Sequence, residues 1–476
     1  MTVRISSPAD LDADAVLRVA DGEDVVLDDA LLAALDSTRS ELLAALEDAG
    51  PVYGVTTGMG LLSHLAVGSE DQQGYQDDLM LARAVGVEPW LDPRTTRAVV
   101  AVRLRTLLDP EVGISSALAR ALVGLLDRGD VPVPSRGNGA AGEIIPLAHL
   151  GLALRASYSF GPKEGVAFLQ GVPVATARAV LLVADARLLA RQSLVATAGS
   201  VALARAPRDP YDAALDRGDA MLGQVHAALR ALAGDEEAPR MLQAPVSFRV
   251  AGAAIAALLR AVDALDAAVD RALVGVTTSP ALVDGRFLGT AGFDGFDLAS
   301  ALDGVRLAAL HTAEVGTARV HRLLDPRVTA LPPQLSAEPG RQAGMVTVHK
   351  RAVGLVHEAR VSAVPASIGT METSAGQEDV QSFGLHAAAE LDRSLSVLRD
   401  VTACELLALH QARLLDATPP RGSERLQMVL HKASEHVSRD ANDRPFGADV
   451  TTIAHGLRVG WAYDEVSRAL GAASHP

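Results

Sequence analysis

The chain has 476 residues, 49% hydrophobic and 3% aromatic, with a formal net charge of −15. So acidic a chain is a poor match for sequence-independent nucleic-acid binding, which needs cations to neutralise phosphates, and its charge instead favours solubility. The length supports a large core and, at roughly 150 residues per domain, about three domains.

Alanine and leucine dominate and β-rich runs are scarce, so an all-α fold is expected. The single cysteine, Cys404, sits in an apolar helical context, which predicts a buried, inert thiol and no disulfide within the chain. The first residues lack the basic and apolar regions of a signal peptide, and no run of 18 apolar residues is free of charge. A cytoplasmic protein with no membrane span is expected.

Residues 1–50 predict a short strand and two amphipathic helices, the second over about 27–48 and closed by Pro51. Residues 52–60, Val-Tyr-Gly-Val-Thr-Thr-Gly-Met-Gly, form a loop around Tyr53, one of only five tyrosines. Residues 72–108 look helical and carry Arg83. The stretch 131–149 reads Val-Pro-Val-Pro-Ser-Arg-Gly-Asn-Gly-Ala-Ala-Gly-Glu-Ile-Ile-Pro-Leu-Ala-His. It is a glycine-rich turn running into an apolar helix that begins near Glu143, a common way to present backbone groups to a ligand.

Beyond 174 the apolar periodicity predicts helices over 174–206, 210–233, 248–275, 297–323, 342–361, 376–417, 421–438 and 447–470. Long helices with short connections imply an elongated bundle and oligomeric packing. Two domains are expected, 1–190 with the loops and 191–476 with the bundle. No metal site is expected. The thirteen histidines are dispersed, and His431, Glu435 and His436 do not share one helix face well. Phosphate-binding and dinucleotide-binding glycine patterns are absent from the sequence.

Four of these stretches, in order, resemble the histidine and aromatic amino acid ammonia-lyases. Residues 52–60 resemble the loop of that family's general-base tyrosine, so the resemblance gives Tyr53 that role; such a phenol needs a lowered pKa or a neighbouring cation. The flanks of 140–142 resemble the loop whose Ala-Ser-Gly cyclises to an electrophilic methylidene-imidazolone (MIO). Gln243 through Arg249 resembles a motif whose arginine binds the substrate carboxylate. Pro365 through Asp379 resembles a motif ending in Gln-Glu-Asp, which makes Glu378 the second acid/base candidate and places Gln377 beside the substrate. Those residues are expected at the start of a helix.

The resemblance implies the ammonia-lyase (fumarase/aspartase-like) fold. It also implies a homotetramer in which each site draws on three subunits, and a small, anionic substrate held by Arg249, Gln243, Gln170, Arg83, Met345 and Gln377. The chain departs from the pattern at central places. The tripeptide is Ala140-Ala141-Gly142, Arg83 replaces a histidine, Gln170 an asparagine, Val246 a tyrosine and Met345 a phenylalanine. Ala141 has no hydroxyl to lose, so no cofactor is expected. Three readings stay open. The first is a MIO-independent lyase, cyclase or isomerase. The others are an ordinary ammonia-lyase or aminomutase carrying a Ser-to-Ala change, and a catalytically silent binding or assembly homologue.

Overall fold

The computed structural model describes residues 2–129, 131–235, 238–361, 363–418 and 421–460. Among them the chain is helical, with two short strand pairs. β1 (Thr2–Ile5) lies parallel to β2 (Asp24–Leu27), with α1 (Ala13–Ala20) between them in sequence. There follow α2 (Asp29–Glu47), α3 (Gln72–Asp78), α4 (Pro93–Leu107), α5 (Ser116–Leu125), α6 (Ile144–Leu154), α7 (Glu164–Phe168) and α8 (Pro173–Ala204). Then come α9 (Ala220–Ala233), α10 (Val246–Arg249), α11 (Ala251–Val274), the antiparallel pair β3 (Ala281–Val283) and β4 (Arg286–Leu288), and α12 (Phe296–Leu323). Last are α13 (Pro326–Thr329), α14 (Val346–Val361), α15 (Gly384–Leu415), α16 (Glu424–Ala433) and α17 (Phe446–Val459).

The long helices stand where periodicity predicts them, and their ends differ for local reasons. The helix expected over 72–108 is two, because the chain between Leu79 and Asp92 contains Gly86 and Pro89; Asp92 then caps α4 by accepting from Thr95 N at 3.0 Å. α9 starts at Ala220 rather than 210, after a left-handed Gly218 and an Asp219 cap. α15 starts at Gly384 rather than 376. Ser374, Ala375 and Gly376 all have positive φ and turn the chain away from helix, so Gln377-Glu378-Asp379 lies in a loop and not at a helix start. Residues 461–470 of the last expected helix lie outside the described residues.

The chain forms two compact units. The first takes in the chain up to Val183, Ala264–Asp303 and Pro365–Glu390; the second takes in Ala184–Asp263, Gly304–Val364 and the described residues from Leu391 on. The first unit therefore holds the N-terminal loops expected over 1–190 and two later segments that hydrogen-bond to them. At its centre is α4, in which every residue from Thr95 to Leu107 except Arg97 is buried. Arg97 binds the carbonyls of Val19, Glu23 and Leu126, which fixes α4 to α1 and α5.

The second unit is tied together by buried polar pairs. Arg319 donates to both oxygens of Glu405, at 2.7 and 2.8 Å, and Ser200 adds a third bond. Arg399 binds Asp185 at 2.6 Å. Cys404 is buried, and burial pushes its thiol up to about 12, the inert state expected of it. Among the described residues one stretch, Glu164–Ala204, which holds α7 and α8, is long and apolar enough to cross a membrane, but 89% of its most apolar window is buried in protein, as in a core helix.

Candidate active site

The Tyr53 loop is held by its own backbone. Val55 and Thr56 donate back to the Val52 carbonyl, and Gly58 pairs with Leu65. Gly54 has φ +70, and a Cβ there would sit 2.8 Å from Val166 Cγ2, so the turn needs glycine. Within this loop the Gly60 N–H donates to the Tyr53 hydroxyl at 2.8 Å.

Gly60 abuts Ser374 of the 374–376 turn, whose side chain would lie 3.7 Å from a Cβ on Gly60. The Ser374 hydroxyl donates to Glu378 Oε1 at 3.0 Å. Glu378 Oε2 accepts from the Ala141 N–H at 2.7 Å. Thus Tyr53, Glu378 and the 140–142 tripeptide form one continuous group in the first unit. The half-buried Glu378 is held at both oxygens, while Gln377 is exposed.

The tripeptide is pinned from the other side as well. Asn138 Nδ2 donates to the Gly142 carbonyl at 2.7 Å, and the Glu143 N–H donates to the Gly171 carbonyl at 2.9 Å. Gly142 has φ +84, and a Cβ there would lie 3.1 Å from Gly171 O. Glu143 closes the loop and accepts from Val174 and Ala175 N–H at the start of α8, at 2.5 and 2.7 Å. Burial holds its carboxyl above the usual range, against the pull of those two donors.

Gln170 has both ends of its amide engaged by one residue. Nε2 donates to the Ser279 carbonyl at 2.5 Å, and Oε1 accepts from the Ser279 N–H. It anchors the 278–280 turn beside the tripeptide loop. Arg83 is half-buried; it donates to the Leu79 carbonyl at 3.1 Å and lies 3.8 Å from Met59 Sδ. It makes no ion pair among the described residues.

His149, at the end of the same motif, accepts the Gly86 N–H at 3.0 Å and packs against Trp90, so it fastens the loop after α3 to α6. The remaining residues singled out in the sequence lie in the second unit. Gln243 Oε1 accepts from Arg249 Nη1 at 3.3 Å, with both side chains exposed. Met345 is fully buried.

Two further residues of this site were not among those chosen from the sequence. Gln76 is fully buried and clamps α3 to the tyrosine loop, donating to Gly54 O and accepting from Val166 N, both at 2.9 Å. Its neighbour Tyr75 is half-buried, and burial raises its hydroxyl above its ordinary value, against the pull of the Arg83 guanidinium. The available signal was the rarity of tyrosine in this chain.

A sequence profile described as aromatic amino acid lyase matches residues 11–160 and 155–435. The chain belongs to that family. This family member is 32% identical over 460 residues to the histidine ammonia-lyase of Aromatoleum aromaticum, covering 88% of this chain and 86% of that one. Its fold is similar to tyrosine aminomutase from Streptomyces globisporus, with a TM-score of 0.90, 23% identity, and 98% and 99% of the two chains covered. It is also similar to the ergothioneine-degrading enzyme ergothionase of Treponema denticola, with a TM-score of 0.88, 21% identity, and 94% and 97% covered. The protein is a lyase-family enzyme of all-α fold, from a family that normally depends on MIO.

Proposed function

We propose that this family member works without MIO and uses Tyr53 for acid/base elimination, addition or cyclisation, or isomerisation, on a small carboxylate-bearing substrate. Ala141 carries the reading. Making the exocyclic methylidene requires a hydroxyl to leave from the middle residue of the tripeptide. Ala141 ends in a methyl group, so the residues present do not fit the group, and its N–H is instead bound by Glu378. The other departures, at Arg83, Gln170, Val246 and Met345, support a site altered as a whole rather than by one substitution.

Proton transfer and anion binding remain. Tyr53 and Glu378 are each hydrogen-bonded to one of two neighbouring residues, Gly60 and Ser374, and general acid–base work by such groups contributes about 10²–10⁴-fold. Arg83 supports the anionic substrate class, because its guanidinium makes no ion pair among the described residues and keeps N–H donors beyond those on Leu79 and Met59 that can take a carboxylate. Arg249 is the second candidate for that task. Loss of ammonia from an unactivated amino acid is hard without an electrophile. A better leaving group, its reverse addition, a ring closure or an isomerisation requires only the groups named. The names of the structural neighbours already span aminomutation and ergothioneine degradation, which supports more than one chemistry on this fold.

Intact mass spectrometry and near-ultraviolet absorbance test the reading first. The expected mass is that of the plain chain; a two-water deficit overturns it. Turnover on carboxylates identified by metabolite pull-down should vanish in Tyr53→Phe while the circular dichroism spectrum is retained. The assembly that goes with this reading is a homotetramer, checked by light scattering.

A further inference from the structure

The helices of the second unit leave a cavity of about 290 Å³ near the C-terminal end of α15. Its floor is apolar. Gly199 and Leu203 of α8, Leu409 of α15 and Leu430 of α16 line it. Gly199 opens this floor: a Cβ there would sit 2.6 Å from Leu409 Cδ1 and 3.5 Å from Leu430 Cδ1, so a side chain would crowd both leucines.

The rest of the lining is polar. Asp416, Thr418 and Arg421 follow α15 and are tied to one another. Asp416 Oδ1 accepts from the Thr418 N–H at 2.9 Å and from its hydroxyl at 2.6 Å, and Arg421 Nη2 donates to the Thr418 hydroxyl at 3.2 Å. Arg421 Nε lies 3.8 Å from Asp416 Oδ2, so these two charges offset each other. Burial raises the Asp416 carboxyl, but the Thr418 bonds and Arg421 outweigh it and hold the group below its usual range, so it stays ionised. Arg413, in the last turn of α15, lines the same cavity on different terms. It makes no hydrogen bond or ion pair among the described residues. Partial burial alone pulls its guanidinium below its ordinary value, and no acid offsets that.

The cavity therefore presents one uncompensated cation beside an apolar floor. A guanidinium offers parallel N–H donors that match a carboxylate. Leucines on the other side favour an alkyl chain over a second charged group. A dianion would find a single unpaired cation and would be repelled by Asp416. The volume is at the lower edge of the roughly 300–1,000 Å³ typical of ligand pockets, which restricts the occupant to a small molecule.

We propose that this cavity is a second ligand site, which takes a small monocarboxylate on Arg413 and packs its apolar tail on Leu203, Leu409 and Leu430. None of its residues belongs to the first unit, so it stands independently of the Tyr53 chemistry proposed above.

Calorimetric titration of the full-length protein with hexanoate tests it. Hexanoate should bind more tightly than acetate, which has the charge without the tail, and than hexanol, which has the tail without the charge. Arg413→Gln should weaken hexanoate binding about tenfold or more, the worth of a hydrogen bond to a charged group. Arg413 has no partner to lose, so the denaturation midpoint of this variant should stay at the wild-type value. Leu203→Phe, which fills the floor, should weaken binding as well. Arg83→Gln, which removes a cation of the first unit, should leave the site intact. Absence of binding at millimolar hexanoate, or equal affinity in wild type and Arg413→Gln, overturns the proposal. Binding lost in Arg83→Gln and kept in Arg413→Gln overturns it too, by assigning the heat to the first unit.

Discussion

Arg319 and Arg83 show how differently the two units use a guanidinium. Arg319 is buried in the second unit with both oxygens of Glu405 on its fork, and Ser200 completes the carboxylate. Arg83, in the first unit, has a backbone carbonyl and a thioether for company. The first arrangement spends its charges internally and leaves nothing for a ligand. The second holds a cation in place by neutral contacts and leaves its charge without an ion pair among the described residues. Polar residues that stabilise and polar residues that react are thus separable here by what their donors already bind.

The largest effects should fall on opposite observables. Tyr53→Phe should reduce turnover by about 10²–10⁴-fold, while chemical denaturation shows only a modest loss from the Gly60 N–H that no longer has its acceptor. Glu405→Ala should do the reverse in kind. It leaves Arg319 buried and unpaired, at a cost of roughly 3–5 kcal/mol in stability. A Tyr53 variant that unfolds, or a Glu405 variant of normal stability, would erase the distinction.

Lys163 sharpens it, because it is a fully buried amine in the first unit that serves structure. Its Nζ donates to the Val112 carbonyl at 2.8 Å, and burial, aided by Arg39, lowers its pKa from 10.5 to about 7. The unfolded chain therefore binds a proton that the folded chain has released between about pH 7 and 10.5. Stability from this group rises with pH through that window. Lys163→Met should remove the rise, on the order of a few kcal/mol, in denaturant midpoints measured from pH 7 to 10. An unchanged pH slope would mean that the amine is not buried in solution.

Much of this was legible in the residues. The Tyr53 loop, the 140–142 turn and Glu378 are contiguous motifs, and the structure hydrogen-bonds Glu378 to the 140–142 turn and packs the Tyr53 loop near Ser374. What the sequence did not reveal depends on pairings between distant segments. The Glu378 loop looked like a helix start because Gln-Glu-Asp suits one; three successive positive φ angles at Ser374, Ala375 and Gly376, two of them on ordinary residues, decide otherwise. Gln170 looked like a ligand contact, and its amide is taken up by the Ser279 backbone, 109 residues away. Gln76 carries no motif and acquires its role only through Gly54 and Val166, which lie on two other segments.

The smallest stability effect and the most pointed test belong to Arg83. Its contacts are the backbone carbonyl of Leu79 and a thioether, so Arg83→Gln should change stability by only about 1 kcal/mol, the worth of one hydrogen bond. The same substitution should weaken binding of an anionic probe. With 4-hydroxycinnamate, the acid left when tyrosine loses ammonia, a lost charge-assisted hydrogen bond corresponds to roughly tenfold or more in Kd. Calorimetric titration at low and at high salt measures it, and the wild-type advantage should persist in salt because Arg83 is half-buried. Unchanged affinity together with a large stability loss would put Arg83 in the same class as Arg319. Arg249 would then be left as the residue that holds the carboxylate.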